Sequence, residues 1–311
     1  MKPFRFGVNV RTSGSRTEWA DKARKVEALG YSILLVPDHL AELLAPFPAL
    51  ASAAAATTRL RVGTAVLNND FRHPVLLARE AAALDVLSDG RLELGLGAGH
   101  MQSEYEQAGL AFEAGATRVE RMAEAVVVVK RLLEGDAVTF AGKHYRITGH
   151  TIHPRPVQRP RPPIFIGGNA PRLLTVAARE ADIVGLTGIA FRHGGKEPDV
   201  ADFRSASVDE RVRLVRETAG ARYDQVELNA LVQRVIVTDD RRKAAQELAT
   251  GRWAQLTPDE ILASPYVLVG TVDQMIDDLR ARRERWGISY YMTHEPFMDA
   301  LAPVIARLAG R

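Results

Sequence analysis

An aspartate and a histidine, Asp38-His39, follow the apolar run Ser32-Ile33-Leu34-Leu35-Val36 after a single proline. A carboxylate beside an imidazole at the end of a buried strand can tune a general acid or base near neutrality. The same pair would serve equally well as a helix cap above a packed ring. His100 and His294 also follow apolar runs. Three converging imidazoles would suit a metal, but zinc and iron sites recruit a carboxylate at recognisable spacing. No His-Glu-x-x-His pattern occurs, so no metal is expected. His150 and His153 lie in a proline-rich stretch and read as surface residues.

Two glycine clusters complete the chemistry-bearing set. Gly95-Leu96-Gly97-Ala98-Gly99 ends a strand-like run, with its third glycine one position early for a dinucleotide fingerprint. Glycines at such a place let a flat ring approach the backbone closely. Gly167-Gly168-Asn169-Ala170-Pro171 ends another apolar run and opens a helix at its proline. Bare N–H groups at that helix start make a site suited to a phosphate.

These residues need elements to position them, and the chain supplies short apolar strands alternating with amphipathic helices. Strands are expected at 4–10, 32–36, 60–67, 91–97, 164–166, 182–186, 226–237 and 288–292. Helices are expected over 17–29, ending at Gly30, over 46–57, and from Pro74 to about 87. A long helix carries Val119, Met122, Val126, Val129 and Leu133 on one face and stops at Gly135. A hairpin over 137–147 and a proline-rich strap, 154–163, then interrupt the rhythm; Arg155, Arg159 and Arg161 make the strap read as a solvated connector. Later helices start at Pro171, near 207, and at two capping boxes, Thr257 with Glu260 and Thr271 with Gln274. A last helix covers 297–308.

Eight βα units in one chain of 311 residues predict a (β/α)8 TIM barrel ahead of a doubly wound open sheet. The expectation is a single domain, 1–311, with insertions at about 112–162 and 188–206. In a barrel the chemistry gathers at the carboxyl ends of the strands. Those ends carry Asn9, Asp38-His39, Asn68-Asn69-Asp70, His100, Gly167-Gly168-Asn169, Thr187 and Thr293-His294-Glu295.

Composition excludes several classes. There is no cysteine, which removes disulfides, thiolate nucleophiles, iron–sulfur clusters and cysteine zinc sites. The net charge of +3 comes from scattered basic residues, so nucleic acid is not an expected partner. No apolar run approaches the roughly 18 residues that span a bilayer, and the start reads as a strand, so a cytoplasmic protein without membrane contact is expected. A hydrolase is disfavoured, because neither a Ser-His-Asp elbow nor a carboxylate pair is visible.

Five segments in order, Val36-Pro37-Asp38-His39, Val62-Gly63-Thr64-Ala65-Val66-Leu67, Arg72-His73-Pro74 with 76–87, Asp89-Gly90-Arg91 through Gly99, and Pro160 through Gly168, resemble the luciferase-like monooxygenase superfamily over nearly the whole chain. Asp38-His39, Asn68 through Pro74, and Gly97 through Tyr105 resemble its branch that uses the deazaflavin coenzyme F420 in place of FMN. The resemblance implies a TIM barrel with insertions after strands four and six, often dimeric. It also implies a non-prolyl cis peptide ending strand three, at Ala65–Val66, against the cofactor ring. Asp38 and Asn68 would contact the ring, with Ala65, Val66, Gly97, Ser103 and Thr187 completing its site, while Gly167, Gly168 and Asn169 would hold a phosphate. His39 matches the catalytic histidine of F420-dependent sugar-phosphate dehydrogenases. Where those enzymes carry a glutamate acid this chain has His100, so their substrate is not carried over.

The expected reaction is hydride transfer between coenzyme F420 and a small organic substrate, with His39 as base for an alcohol, or His39 or His100 as acid for an alkene or imine. The alternatives are an FMN-dependent monooxygenase fed by a separate reductase partner and a non-catalytic flavin-binding barrel. A homodimer is expected. The loop near 191–204 and the strap near 150–160 are expected to shape the pocket.

Overall fold

The computed structural model describes residues 1–192, 197–251 and 253–311. The eight expected apolar runs form β1 (Arg5–Asn9), β2 (Ile33–Val36), β3 (Arg61–Thr64, resumed at Leu67–Asn68), β4 (Leu92–Gly97), β5 (Ile164–Gly167), β6 (Ile183–Leu186), β7 (Glu227–Val232) and β8 (Ile288–His294). All pair in parallel, in the order β3-β2-β1-β8-β7-β6-β5-β4. Val62 and Gly63 then pair with Leu92 and Glu93, closing the sheet into a barrel.

Ile33, Leu35, Phe165, Ile183, Tyr290 and Met292 pack together as a buried cluster apart from the main core, with half-buried Ala65, Val66 and Leu231 against it. Below it, Arg5 bridges Glu93 and Glu227, each at 2.7 Å, and Arg61 adds a second contact to Glu93 at 2.6 Å. The Arg5 guanidinium also stacks 4.4 Å over the Tyr290 ring. Residues at the start of β1, β3, β4 and β7 are thereby tied by charge, which leaves the opposite, carboxyl mouth as the place for a ligand.

The helices are α1 (Arg16–Ala28), α2 (Pro46–Ala56), α3 (Pro74–Leu87), α4 (Gln102–Gln107), α5 (Gly115–Glu134), α6 (Pro171–Glu180), α7 (Ser205–Ala219), α8 (Arg241–Ala249), α9 (Pro258–Ala263), α10 (Val272–Trp286) and α11 (Met298–Leu308). Both expected capping boxes form, at Thr257 and Thr271. Three expectations need correction. The run 226–237 is two strands, because after Val232 the chain leaves the barrel and Arg234–Val237 pairs in parallel with Val267–Gly270. That small sheet and α8 and α9 form an insertion between β7 and β8 that the sequence reading did not separate. The run 60–67 is broken: Ala65–Val66 is a cis peptide, as the resemblance implies, and pairing resumes at Leu67. His153–Pro154 and Arg159–Pro160 are also cis.

The third correction concerns the strap, which is fastened rather than solvated. Fully buried Asp85 accepts hydrogen bonds from the Val157 and Gln158 amides, at 2.8 and 3.0 Å, and from the Gln158 side chain at 2.6 Å. Arg161 is only 8% exposed and bridges Asp182 at 2.5 Å and Glu134 at 3.1 Å. A carboxylate inside the fold is tolerated because every acceptor finds a donor. Of the loop expected to shape the pocket, 193–196 lie outside the described residues, and Phe203 is core.

Candidate active site

His39 sits beyond β2, in the stretch between that strand and α2, where Pro37 keeps the chain out of a helix. Its Nδ1 lies 2.9 Å from Oε1 of Glu104, a carboxylate only 6% exposed. The His100 ring stands edge-on to that of His39, with centroids 5.5 Å apart and planes at 86°. Burial, together with His39 and Arg118, pushes His100 down to about 4, so its imidazole is neutral at ordinary pH.

Glu104 is held there by a short helix with its own anchors. Tyr105, beside it on α4, is fully buried, and its hydroxyl bonds Asn68 Oδ1 at 2.9 Å and Asp70 Oδ2 at 3.0 Å. Arg121 pairs with Asp70 at 3.2 Å and also with Glu113. Arg118 donates to the carbonyls of Ala98 and Gly99, at 3.1 and 3.3 Å, and stacks 3.9 Å from the Phe112 ring. The segment from β4 through α4 to the start of α5 is therefore a braced shelf over the rim.

Asp38 faces inward along that rim. Arg72 reaches its two oxygens at 2.5 and 3.3 Å, and the Asn68 amide donates to it at 3.0 Å. Ala65, whose amide bonds the Val36 carbonyl at 3.1 Å, and Val66 form a half-buried apolar step beside it. The glycines there serve Val66 first: a Cβ on Gly97 would lie 2.6 Å from Val66 Cγ2, and one on Gly167 3.2 Å from Cγ1.

Around the mouth, the Gly168 amide donates to Gly185 at 3.0 Å, so it is spent on the barrel and not offered to an anion. Asn169 stands at the start of α6, buried, with Nδ2 bonded to Asp202; its Oδ1 has no partner among the described residues. Arg211 donates to the Asn169 carbonyl at 3.2 Å and pairs with Asp202 at 2.5 Å. Thr187 donates to the Ile189 carbonyl at 3.3 Å, and Ser103 lies exposed on α4. His294 meets Gln233 at 3.4 Å and is pushed down to about 4 by burial and by Arg11 and Arg234. Among the described residues no three His, Asp or Glu side chains could share a metal ion.

The geometry thus brings together His39, His100, Asp38, Asn68, Ala65, Val66 and Gly97, and puts Gly167, Gly168, Asn169 and Thr187 further round the same mouth. Sequence reasoning missed Glu104, Arg72, Tyr105 and Arg118 as parts of it. Glu104 and Tyr105 stand in the quoted segment just after His100, but nothing in a single chain says that a carboxylate on a six-residue helix is buried.

The chain matches the sequence model of the family described as luciferase-like monooxygenase over residues 1–290, and it belongs to that family. It is 33% identical over 267 residues to an F420-dependent glucose-6-phosphate dehydrogenase of Nakamurella multipartita, covering 82% of this chain and 73% of the relative. It is 29% identical over 254 residues to the oxygenase component of a flavin-dependent trigonelline monooxygenase of Acinetobacter baylyi, covering 76% and 70%. Its fold matches the coenzyme F420 dependent tetrahydromethanopterin reductase of Methanopyrus kandleri with a TM-score of 0.74 and 17% identity, over 99% and 98% of the two chains. Among the described residues no helix is long and apolar enough to cross a membrane.

Proposed function

We propose that the protein is an oxidoreductase that passes a hydride between coenzyme F420 and a small organic substrate at the carboxyl mouth of the barrel. The observation that carries this reading is His39, held by Glu104 beside a neutral His100, on the rim next to the apolar Ala65–Val66 step. The likeness to an F420-dependent dehydrogenase supports it.

The residues fit a planar redox ring with an anionic tail. The step of Ala65 and Val66, with Gly97 and Gly167 behind it, is half-buried and apolar where a ring edge would rest. Asp38 and Asn68 supply polar groups beside it, Ser103 and Thr187 would contact the bound ring from further along the rim, and the tail would meet Asn169 and the start of α6 beyond Gly168. The orphaned Asn169 Oδ1 can only accept, so it fits a hydroxyl or N–H group on the chain that carries the tail and not the anionic oxygens themselves. When bound, the coenzyme accepts or gives a hydride at its ring.

His39 takes the substrate proton as the hydride leaves, or returns it in the opposite direction. His100, neutral until the pH falls to about 4, contributes a hydrogen-bonding group and not a resident imidazolium. The rim orients the substrate and keeps water from the transferred hydrogen.

Titrating the purified protein separately with F420 and FMN, and following fluorescence quenching, tests the proposal. Saturable binding of F420 well below the concentration needed for FMN is expected, and the reverse order overturns it. The second reading is a monooxygenase fed with reduced FMN by a separate reductase, favoured by the Acinetobacter relative. It requires oxygen consumption dependent on added reductase. A homodimer belongs to the same proposal. Leu76 and Leu87 lie exposed about three turns apart on one face of α3, with Val157 exposed on the strap, and light scattering reads the mass.

A further inference from the structure

We propose that Glu104 is a positioning residue for His39: it holds the imidazole as the tautomer protonated on Nδ1 and so leaves the lone pair on Nε2 to receive the substrate proton. This rests on the reading of His39 as the proton partner.

Three observations carry it. The contact is made by Nδ1 and not by Nε2, at 2.9 Å, and a carboxylate oxygen can only accept there. Glu104 is buried at 6% exposure, and among the described residues its side chain has no other hydrogen-bond or ion-pair partner, so the carboxylate is matched to this one ring. Its helix is anchored one residue on, by the Tyr105 hydroxyl on Asn68 and Asp70, which fixes where the carboxylate stands. Hydrogen bonding at one ring nitrogen selects which of the two carries the proton. A neutral histidine side chain in water prefers the opposite tautomer, so without the carboxylate a large share of His39 would present an N–H where the reaction needs an acceptor. The proton balance is simple: a proton leaving the substrate ends on Nε2, the Nδ1 proton stays on the ring, and none passes to Glu104.

The test begins without cofactor. Nitrogen-15 NMR of selectively labelled apo protein, above the pH at which the ring is charged, is expected to show His39 protonated on Nδ1 in the native protein and mainly on Nε2 in Glu104→Ala. An Nε2-protonated native ring, or an unchanged tautomer in a folded Glu104→Ala, overturns the proposal. If that variant does not fold, the native spectrum decides alone. With substrate, Glu104→Ala is expected to lower kcat about 10- to 100-fold with KM little changed. Glu104→Gln, whose amide can turn its NH2 to Nδ1 and hold the opposite tautomer, is expected to lose at least as much; a Gln variant as active as the native protein overturns the role. His39→Ala turning over normally would instead sink the hydride-transfer role of His39 while leaving the apo tautomer result intact, so the two failures are distinguishable.

Discussion

Thr64 and Gly95 stitch the barrel closed where β3 breaks. The Gly95 amide donates to Thr64 Oγ1 and the Thr64 hydroxyl donates to the Gly95 carbonyl, each at 2.8 Å. One side chain thus stands in for ladder bonds next to the cis peptide. The approach is so close that a Cβ on Gly95 would sit 1.9 Å from the Thr64 carbonyl oxygen.

Gly95→Ala is accordingly expected to destabilise the fold by about 1–3 kcal/mol or more, through forced separation of the two strands. Thr64→Val keeps the shape but strips both bonds, at a cost of about 1–3 kcal/mol. Urea unfolding midpoints measure both; a Gly95→Ala protein as stable as its parent would contradict the seam.

Asp85 is expected to matter as much, though it lies away from the mouth. Asp85→Ala leaves two strap amides and the Gln158 side chain without their acceptor, at a cost of about 2–4 kcal/mol. Hydrogen exchange should quicken at Val157 and Gln158 first, as the strap lifts.

Acid stability has a specific source at the closed end of the barrel. Burial alone would raise the Glu93 carboxyl, but Arg5 and Arg61 outweigh it and hold the group below its ordinary value of 4.5. A carboxyl lowered in the fold contributes stability above its unfolded value and loses it as pH falls through the folded one. The Tm should therefore drop below about pH 4.5. Glu93→Gln should start less stable at neutral pH and show a shallower acid limb.

The two half-buried histidines act over a different window. His100 and His294, each pushed down to about 4, bind a proton more readily in the unfolded chain. Their neutral forms suit the fold fully above the ordinary value of 6.5, and stability falls as pH drops from there toward about 4. Replacing His294 with Gln should flatten this stretch of the Tm profile while leaving the lower, Glu93 limb in place.

At the mouth, Asn169→Ala is expected to weaken F420 binding about 10-fold by removing the buried amide at the tail end of the site. Gly168→Val should do so more severely, since a Cβ there would lie 1.9 Å from Leu173 Cδ2 and force that buried side chain on α6 to move. Fluorescence titration reads both, and unaltered affinity in both would remove the tail from this end.

Local pattern was enough for the barrel, because each strand and helix is specified by residues close in the chain. Apolar runs of strand length, Pro74 and Pro171 at helix starts, Gly135 and the threonine capping boxes all act within a few residues, and they fold as read. The Gly95–Gly99 and Gly167–Asn169 clusters were legible as strand ends for the same reason, but not that Gly95 meets Thr64, Gly97 meets Val66 and the Gly168 amide is taken by Gly185. The partners of His39 and Asp38 were not. Glu104 is 65 residues from His39 and Arg72 is 34 from Asp38 in sequence, and only barrel closure brings β2, β3 and the segment after β4 to one rim. The burial of Asp85, the fastening of the strap and the separate pairing of Arg234–Val237 likewise depend on surfaces that exist only once distant elements pack. Residue type and short-range spacing determined which groups stand at the strand ends; the tertiary structure decided which of them face one another and which are already spent on holding the barrel together.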